Sequence, residues 1–330
     1  MPTRQSVSIS DPVLSNFALD YGKQELVSLS GLGFGNTADF IYPQIPHVGP
    51  GDTGEYYTYN FQNKLALGSD ERKEGNYPTI EFDVSSNTYK LEDKGFSHEF
   101  DDRVQEAALG GMNISEDAGD IITERVLRKY ANEVIADATT SGNFNAGITN
   151  TNTASTLGGA WDTSSTDLIK QINTVKRVIH RNCGVMPDRF VTSMDVWTDG
   201  IMVNDAIQAG LQATHKAAGA SDFENAKNII SSFFGLEGAI DVTLADTANV
   251  NSTINPTYLF PKSVLVYVSN ARVERIKAMR FGFTAVKSGE FLRGYQWTEP
   301  PHSNWRAVSF QRSVHRVADD CAYLITSVVT

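Results

Sequence analysis

Residues 116–139, EDAGDIITERVLRKYANEVIADAT, carry the clearest helical pattern in the chain, and a rod of that length dictates what the rest must cover. Ile122, Val126, Tyr130, Val134 and Ala138 recur every fourth position, with Leu127, Ala131 and Ile135 forming the adjacent row. Residues four apart share one helical face, so the two rows merge into a broad apolar stripe. Asn113 or Ser115 is placed to cap the start, and Glu116, Asp117 and Asp120 suit the positive end of the helix dipole. Ser141-Gly142-Asn143 ends the pattern. At 1.5 Å per residue the rod is roughly 35 Å long, the dimensions of a spine. Its Ile122, Val126, Tyr130 and Val134 face is expected to pack on the terminal strands.

Upstream lies a hairpin. Tyr57, Tyr59 and Phe61 alternate with Tyr56, Thr58 and Asn60, and Ile80, Phe82 and Val84 alternate with Glu81, Asp83 and Ser85. Period-two alternation rich in aromatic and branched residues marks strands. The connection, GSDERKEGNYP at 68–78, is polar and charged, so the hairpin is expected to project from the body. Two strands alone are marginal in water. A neighbouring chain is therefore expected to cover Tyr57, Tyr59 and Phe61. The tip charges Asp70, Glu71, Arg72, Lys73 and Glu74 are expected to meet opposite charges there.

The other segments set these two in context. Residues 1–50 mix apolar patches with Gly31, Gly33, Gly35, Pro43, Pro46 and Pro50, and read as an arm that needs another surface to lie on. Residues 143–166 are rich in Asn, Thr, Ser and Gly around one large anchor, Trp161, and read as a loop. A second helix is expected over 167–182, a strand over 189–193, and a short helix from Asp195 through Trp197 and Met202. Further on, a helix is expected from Asn225 to Phe234. Strands are expected at 264–269, 272–276, 307–317 and 322–329. Mingled helices and strands, with antiparallel hairpins late in the chain, point to an α+β architecture.

Composition bounds the function. Hydrophobic residues make up 41% of the 330 residues, enough for a sizeable core, and a charged share of 20% is too low for a disordered chain. The net charge of −11 argues against a surface built to neutralise phosphates, although a protein that merely encloses DNA needs no such surface. No signal peptide or membrane helix is evident. Cys183 and Cys321, 138 positions apart, fit thiols packed as small hydrophobes in a reducing compartment.

No constellation carries chemistry. The glycine run at 31–36 lacks the lysine of a nucleotide loop. His47, His98, His180, His215, His302 and His315 share no ligand spacing, and the cysteines form no C-x-x-C pair. His98-Glu99-Phe100-Asp101-Asp102 reads as a solvated turn or a subunit salt bridge, and Asp319-Asp320 as a turn. No serine lies in G-x-S-x-G. No catalytic, cofactor or metal site is expected, and the chain is not expected to be an enzyme.

The order of segments resembles the Hong Kong 97 phage coat fold. Pro12-Val13-Leu14-Ser15-Asn16-Phe17-Ala18 resembles the opening of the phage major capsid proteins that share this fold. Ile41-Tyr42-Pro43, Ile45-Pro46 and Gly54-Glu55-Tyr56-Tyr57 resemble their lead-in to the extended loop, and Glu116-Asp117-Ala118 their lead-in to the spine helix. Trp161-Asp162, Asp167 and Leu168-Ile169 resemble their step from linker to helix. Gly184-Val185-Met186-Pro187-Asp188, Phe190-Val191-Thr192-Ser193 and Val196-Trp197 resemble their strand–helix body. Leu265-Val266-Tyr267-Val268, Gly282-Phe283-Thr284 and Ala322-Tyr323-Leu324-Ile325 resemble their closing strands.

The resemblance implies an N-terminal arm over 1–51, an extended loop over 52–92, a peripheral domain over 93–165 with its spine at 116–139, an axial domain over 166–300, and closing peripheral strands over 301–330. It implies self-assembly as pentamers and hexamers into a virion capsid in the bacterial host cytoplasm. Packaged double-stranded DNA is then contacted non-specifically, with scaffolding, decoration and portal proteins as candidate partners and no membrane. No long charged helical segment precedes the arm, which implies a separate scaffolding protein or none. An encapsulin-like compartment of the same fold is the alternative.

Overall fold

The structure, a computed structural model, describes residues 37–47, 51–59, 84–101, 114–144, 151–213, 223–245, 256–269, 280–287, 292–299 and 303–330. Residues 1–36 with the glycine run, the cap candidate Asn113, the hairpin residues Phe61, Ile80 and Phe82, the charged tip at 68–78, and the expected strand 272–276 lie outside the described residues.

In chain order, the described elements begin with helix α1 (Thr37–Ile41) and strands β1 (Gln44–Pro46), β2 (Thr53–Tyr59), β3 (Val84–Lys90) and β4 (Glu92–Asp101). Helix α2 (Ile114–Thr139), β5 (Thr151–Thr153), α3 (Ala154–Leu157), α4 (Leu168–Cys183) and β6 (Arg189–Ser193) follow. A single turn, Met194–Val196, runs into a π-type turn, Trp197–Ile201. Helices α5 (Asp205–Ala213) and α6 (Phe223–Phe234) lead to β7 (Glu237–Asp241), β8 (Leu244–Ala245), β9 (Thr257–Tyr258) and β10 (Val264–Tyr267). The chain closes with β11 (Gly282–Val286), β12 (Arg293–Glu299), β13 (Ser303–Arg316) and β14 (Ala322–Thr326).

Two five-stranded sheets organise the body. In the first, β13 is the hub: β4 pairs with it along Ser303 to Arg312, while β12 and β11 share its opposite edge. The long helix α2 packs on β13 and β4. The second sheet runs β5-β14-β10-β6-β7. All four residues of β10, Val264 to Tyr267, are buried, because a central strand covered on both faces has no solvent side. Helix α4 lies against this sheet with Leu168, Ile172, Val175 and Ile179 buried. Asp167 starts it by accepting from the Lys170 amide at 2.9 Å, and Gly184 ends it in the left-handed region at φ 70°. The fold is α+β, as the mingled sequence pattern predicts.

Several local expectations differ from the structure. The stretch 143–166 is not all loop. Thr151–Thr153 joins β14 as a parallel edge strand and Ala154–Leu157 adds one helical turn, so a free sheet edge overrides a polar composition. His98 to Asp101 is no turn but the end of β4, an edge strand whose side chains are mostly exposed. Such an edge tolerates charges that a central strand excludes. Ser115 lies inside α2, which begins at Ile114, so it is not the cap.

The two terminal strands also part company. β13 lies under the spine, but β14 enters the second sheet between β5 and β10. Its Ala322, Tyr323, Leu324 and Ile325 are all buried, and only a position inside a covered sheet satisfies that pattern. Conversely, β11 and β12, expected within the axial body, pair with β13 in the first sheet.

Candidate inter-subunit surface

The hairpin stem is fastened at its base. β2 and β3 pair antiparallel from Thr53 opposite Lys90 to Tyr59 opposite Val84. Alternation sends Tyr56 and Tyr89 toward the first sheet, where their rings meet Phe283 at 5.4 and 6.0 Å and His315 at 5.6 and 5.4 Å. The Tyr89 hydroxyl lies 3.0 Å from His47 Nδ1. Ile45, Leu91 and Ala285 complete this satellite core. Asp52 ties the foot of the stem to the sheet, accepting from Gln311 Nε2 at 3.0 Å and facing Lys287 Nζ at 3.6 Å. Burial pulls the His315 pKa below its ordinary value, so the ring stays neutral among its aromatic neighbours.

On the stem's other face Tyr57 is 38% exposed, and Glu55, Ser86 and Thr88 are exposed as well. Tyr59 takes part in β2 through its backbone, and its side chain lies outside the described residues, as do Phe61 and Asp70, Glu71, Arg72, Lys73 and Glu74. Tyr56, Tyr89, Phe283 and His315 were not singled out by the sequence as a unit. Tyr56 sits in the alternation, but its partners come from strands 33 to 259 positions away, a distance no local pattern spans.

Ile122, Val126, Tyr130 and Val134 are all buried, at 3% exposure or less, against β13 and its neighbours. The helix is also held by charge. Arg312, on the helix-facing side of β13, is 1% exposed and meets Glu133 Oε2 through Nε and through a terminal nitrogen, each at 3.0 Å. Its guanidinium lies 5.4 Å from the Tyr130 ring and 5.0 Å from that of Phe310, a cation–π sandwich that a desolvated arginine exploits. One turn on, Asp137 pairs with Arg316 at 3.5 Å and accepts from the Tyr42 hydroxyl at 2.5 Å. Arg312 and Arg316 thus each find a helix carboxylate.

The Tyr130 hydroxyl donates to Asp39 Oδ1 at 2.8 Å and lies 3.1 Å from Thr284 Oγ1. Burial raises the Tyr130 pKa well above its ordinary value, with Asp39 adding to the rise, so the hydroxyl remains a donor. Asp39 is pushed up to about 6 by burial, although hydrogen bonds from Gln44 and Tyr130 oppose it. Between β4 and α2 runs a groove of about 320 Å³, lined by Asp93, Lys94, Phe96, Val126, Lys129 and Glu133. Phe96 is 43% exposed there.

Among the described residues no group of three His, Cys, Asp or Glu side chains is disposed to hold a metal ion, and no helix is long and apolar enough to cross a membrane. The groove gathers a ring, aliphatic stems and paired charges. Such a lining suits contact with another surface better than a reaction.

Comparison with known proteins bears on the fold. A phage-related protein from Bordetella bronchiseptica RB50 is similar over 98% of this chain and 99% of its own, with a TM-score of 0.70 at 14% identity. A structure from Microbacterium phage Oxtober96 covers 88% of this chain and 90% of its own, with a TM-score of 0.51 at 11% identity. One from Mycobacterium phage Bobi covers 88% and 89%, with a TM-score of 0.50 at 15% identity. No family model and no curated protein sequence matches the chain. The likeness is one of architecture: this is the Hong Kong 97-type capsid fold.

Proposed function

We propose that the chain is the major capsid subunit of a tailed bacteriophage, assembling as pentamers and hexamers into an icosahedral shell around double-stranded DNA. The observation that carries this reading is the hairpin stem. Tyr56 and Tyr89 bind it to the body, while Tyr57 on the opposite face is left exposed beside a polar second strand. A large apolar side chain gains about 1.5–3 kcal/mol on full burial, and the stem's own sheet is already occupied. A neighbouring subunit is the surface that covers Tyr57, Tyr59 and Phe61. The charges from Asp70 to Glu74 then set register more than affinity, since exposed ion pairs are worth only about 0–1 kcal/mol each.

In this reading the first sheet with its spine helix forms the periphery of each capsomer, and the second sheet with its helices surrounds the local symmetry axes. Scattered Lys and Arg residues contact the packaged DNA without base readout, as the net charge of −11 suggests. Assembly takes place in the bacterial host cytoplasm, with scaffolding, decoration and portal proteins as separate partners. The likeness to phage-associated structures over most of the chain supports the assignment.

Electron microscopy of the purified chain, with and without other proteins of its host phage, tests it. Closed shells that enclose DNA are the expected result. A chain that stays monomeric under every assembly condition defeats the reading, and shells filled with a protein cargo reassign it to an encapsulin-like compartment.

A further inference from the structure

Helix α4 buries one face and turns another outward. Opposite Leu168, Ile172, Val175 and Ile179, the residues Lys170, Asn173, Thr174, Arg177, His180 and Arg181 recur at spacings of three and four, and all are exposed. The 16 residues of the helix include no Asp or Glu. Among the described residues, no ion pair engages Lys170, Arg177 or Arg181. The fourth cation, Lys176, turns aside and donates to the Phe234 carbonyl oxygen at the end of α6. Carboxylates close to the helix are otherwise engaged or unpaired with it. Asp167 accepts from the Lys170 amide as the helix cap. The turn Asp319–Cys321 packs on α4, but its Asp319 faces Arg316 and no ion pair joins Asp320 to the stripe. Helix α2 is built differently, with Glu124 answering Arg128, Glu133 answering Lys94 and Arg312, and Asp137 answering Arg316.

We propose that this face of α4 is where the subunit meets the phosphate backbone of duplex DNA. Lys170, Arg177 and Arg181 each neutralise a phosphate, and Asn173 and His180 between them add neutral donors. Duplex DNA as the partner rests on the shell reading, whereas the unpaired basic face stands on α4 alone. Of the cations scattered over the chain, these three are set in a row.

Spacing and charge both fit that partner. Along the helix Arg177 and Arg181 stand about 6 Å apart and Lys170 about 10 Å before Arg177. These lengths are close to two and three of the phosphate steps of about 3.4 Å along one strand, and long side chains absorb the difference. The net charge of −11 opposes approach from a distance, but at 0.1 M salt exposed charges more than about 10 Å away are largely screened. At contact the groups on the face decide. An arginine forks onto phosphate oxygens and reads no base, so every sequence should bind alike. A helix made to lie on a lipid surface would carry large apolar residues on its exposed face. Every exposed residue of this one is polar.

The full-length chain is titrated against a short fluorescent duplex at increasing NaCl, with binding read by anisotropy. Three neutralised phosphates predict a loss of affinity of roughly 40-fold between about 50 and 200 mM salt. Arg177→Gln with Arg181→Gln leaves one phosphate contact and should cut that loss to roughly 3-fold. A control removing equal charge from exposed positions elsewhere, Arg125→Gln with Lys262→Gln, should keep the salt dependence of the parent. Matching melting temperatures confirm that each variant folds; where the first pair does not, Lys170→Gln alone should bring the loss to roughly 12-fold. An equal change in both double variants, an unchanged salt dependence in the α4 variants, or no binding by the parent at low salt overturns the proposal. So does tighter binding to vesicles of anionic lipid than to the duplex, which would make the face a membrane contact. Shell formation is read separately by electron microscopy, so loss of the shell reading and loss of this one are told apart.

Discussion

The ring of Tyr89 lies across the backbone of Gly54, its partner in the β2–β3 ladder, so closely that a β-carbon on Gly54 would sit 2.3 Å from Tyr89 Cζ. Glycine is what lets the ring fold over the strand and still reach His47, Phe283 and His315. Gly54→Val should displace Tyr89 and cost about 1–3 kcal/mol, the usual range for an overpacked core. Hydrogen exchange should accelerate in residues 84–90 and stay unchanged in α4. Protection equal to that of the parent chain would show that Tyr89 does not anchor the stem.

Arg312 is buried against Glu133, Tyr130 and Phe310, so removing it leaves the Glu133 carboxylate with Lys94 at 3.4 Å as its partner of opposite charge. Arg312→Ala should cost about 3 kcal/mol in urea unfolding, since breaking one half of a buried pair is costly. Arg312→Met combined with Glu133→Leu should recover much of that loss, because apolar substitutes carry no desolvation penalty. A double variant no more stable than Arg312→Ala would contradict this account.

Val126 is 2% exposed on the sheet-facing side of α2. Val126→Asp buries a carboxylate with no designed partner and should lower stability by several kcal/mol, on the order of a broken core. An unchanged melting temperature would mean that the face tolerates water.

Asp39 supplies a pH dependence. Its pKa is about 6 in the folded chain, against roughly 4 for an unfolded aspartate. Between those values the folded state holds a proton that the unfolded state has released, so stability falls as pH rises. The contribution is whole below about pH 4 and gone once pH passes 6, up to roughly 3 kcal/mol in all. Asp39→Asn should flatten the urea midpoint over that interval and raise it at pH 8. A slope that survives the substitution would assign the effect to another group.

Deleting residues 66–77 and closing the hairpin with a short turn addresses the shell reading directly. The body should fold with an unchanged melting temperature, because the stem's anchors Tyr56 and Tyr89 remain, while shells fail to form. Normal shells of unchanged stability would show that the tip makes no essential contact.

The sequence discloses most where one pattern reports one environment. The four-residue rows of α2 and the run Val264 to Tyr267 each announce their burial, and Asp167 and Gly184 mark both ends of α4. It discloses least where partners are remote. β4 reads as solvated because its edge is solvated, yet ten of its residues ladder with β13 some 200 positions on. Arg312 reads as an ordinary surface charge in a strand, and only the arrival of Glu133 from the helix makes it a buried one. The strand Thr151–Thr153 has no apolar pattern at all; β14 recruits it.

The pairings of the two sheets set a timetable for biosynthesis. β1, near residue 45, waits for β11, and β4 for β13, while β5 waits for β14 and β10 lies between β6 and β14. The first sheet closes only when β13 is complete at Arg316, and the second only when β14 is complete at Thr326. A chain truncated ahead of β13 therefore presents open edges on both sheets, and one truncated between β13 and β14 presents them on the second. Any stop codon ahead of β14 should yield insoluble protein, not a smaller subunit able to poison its neighbours.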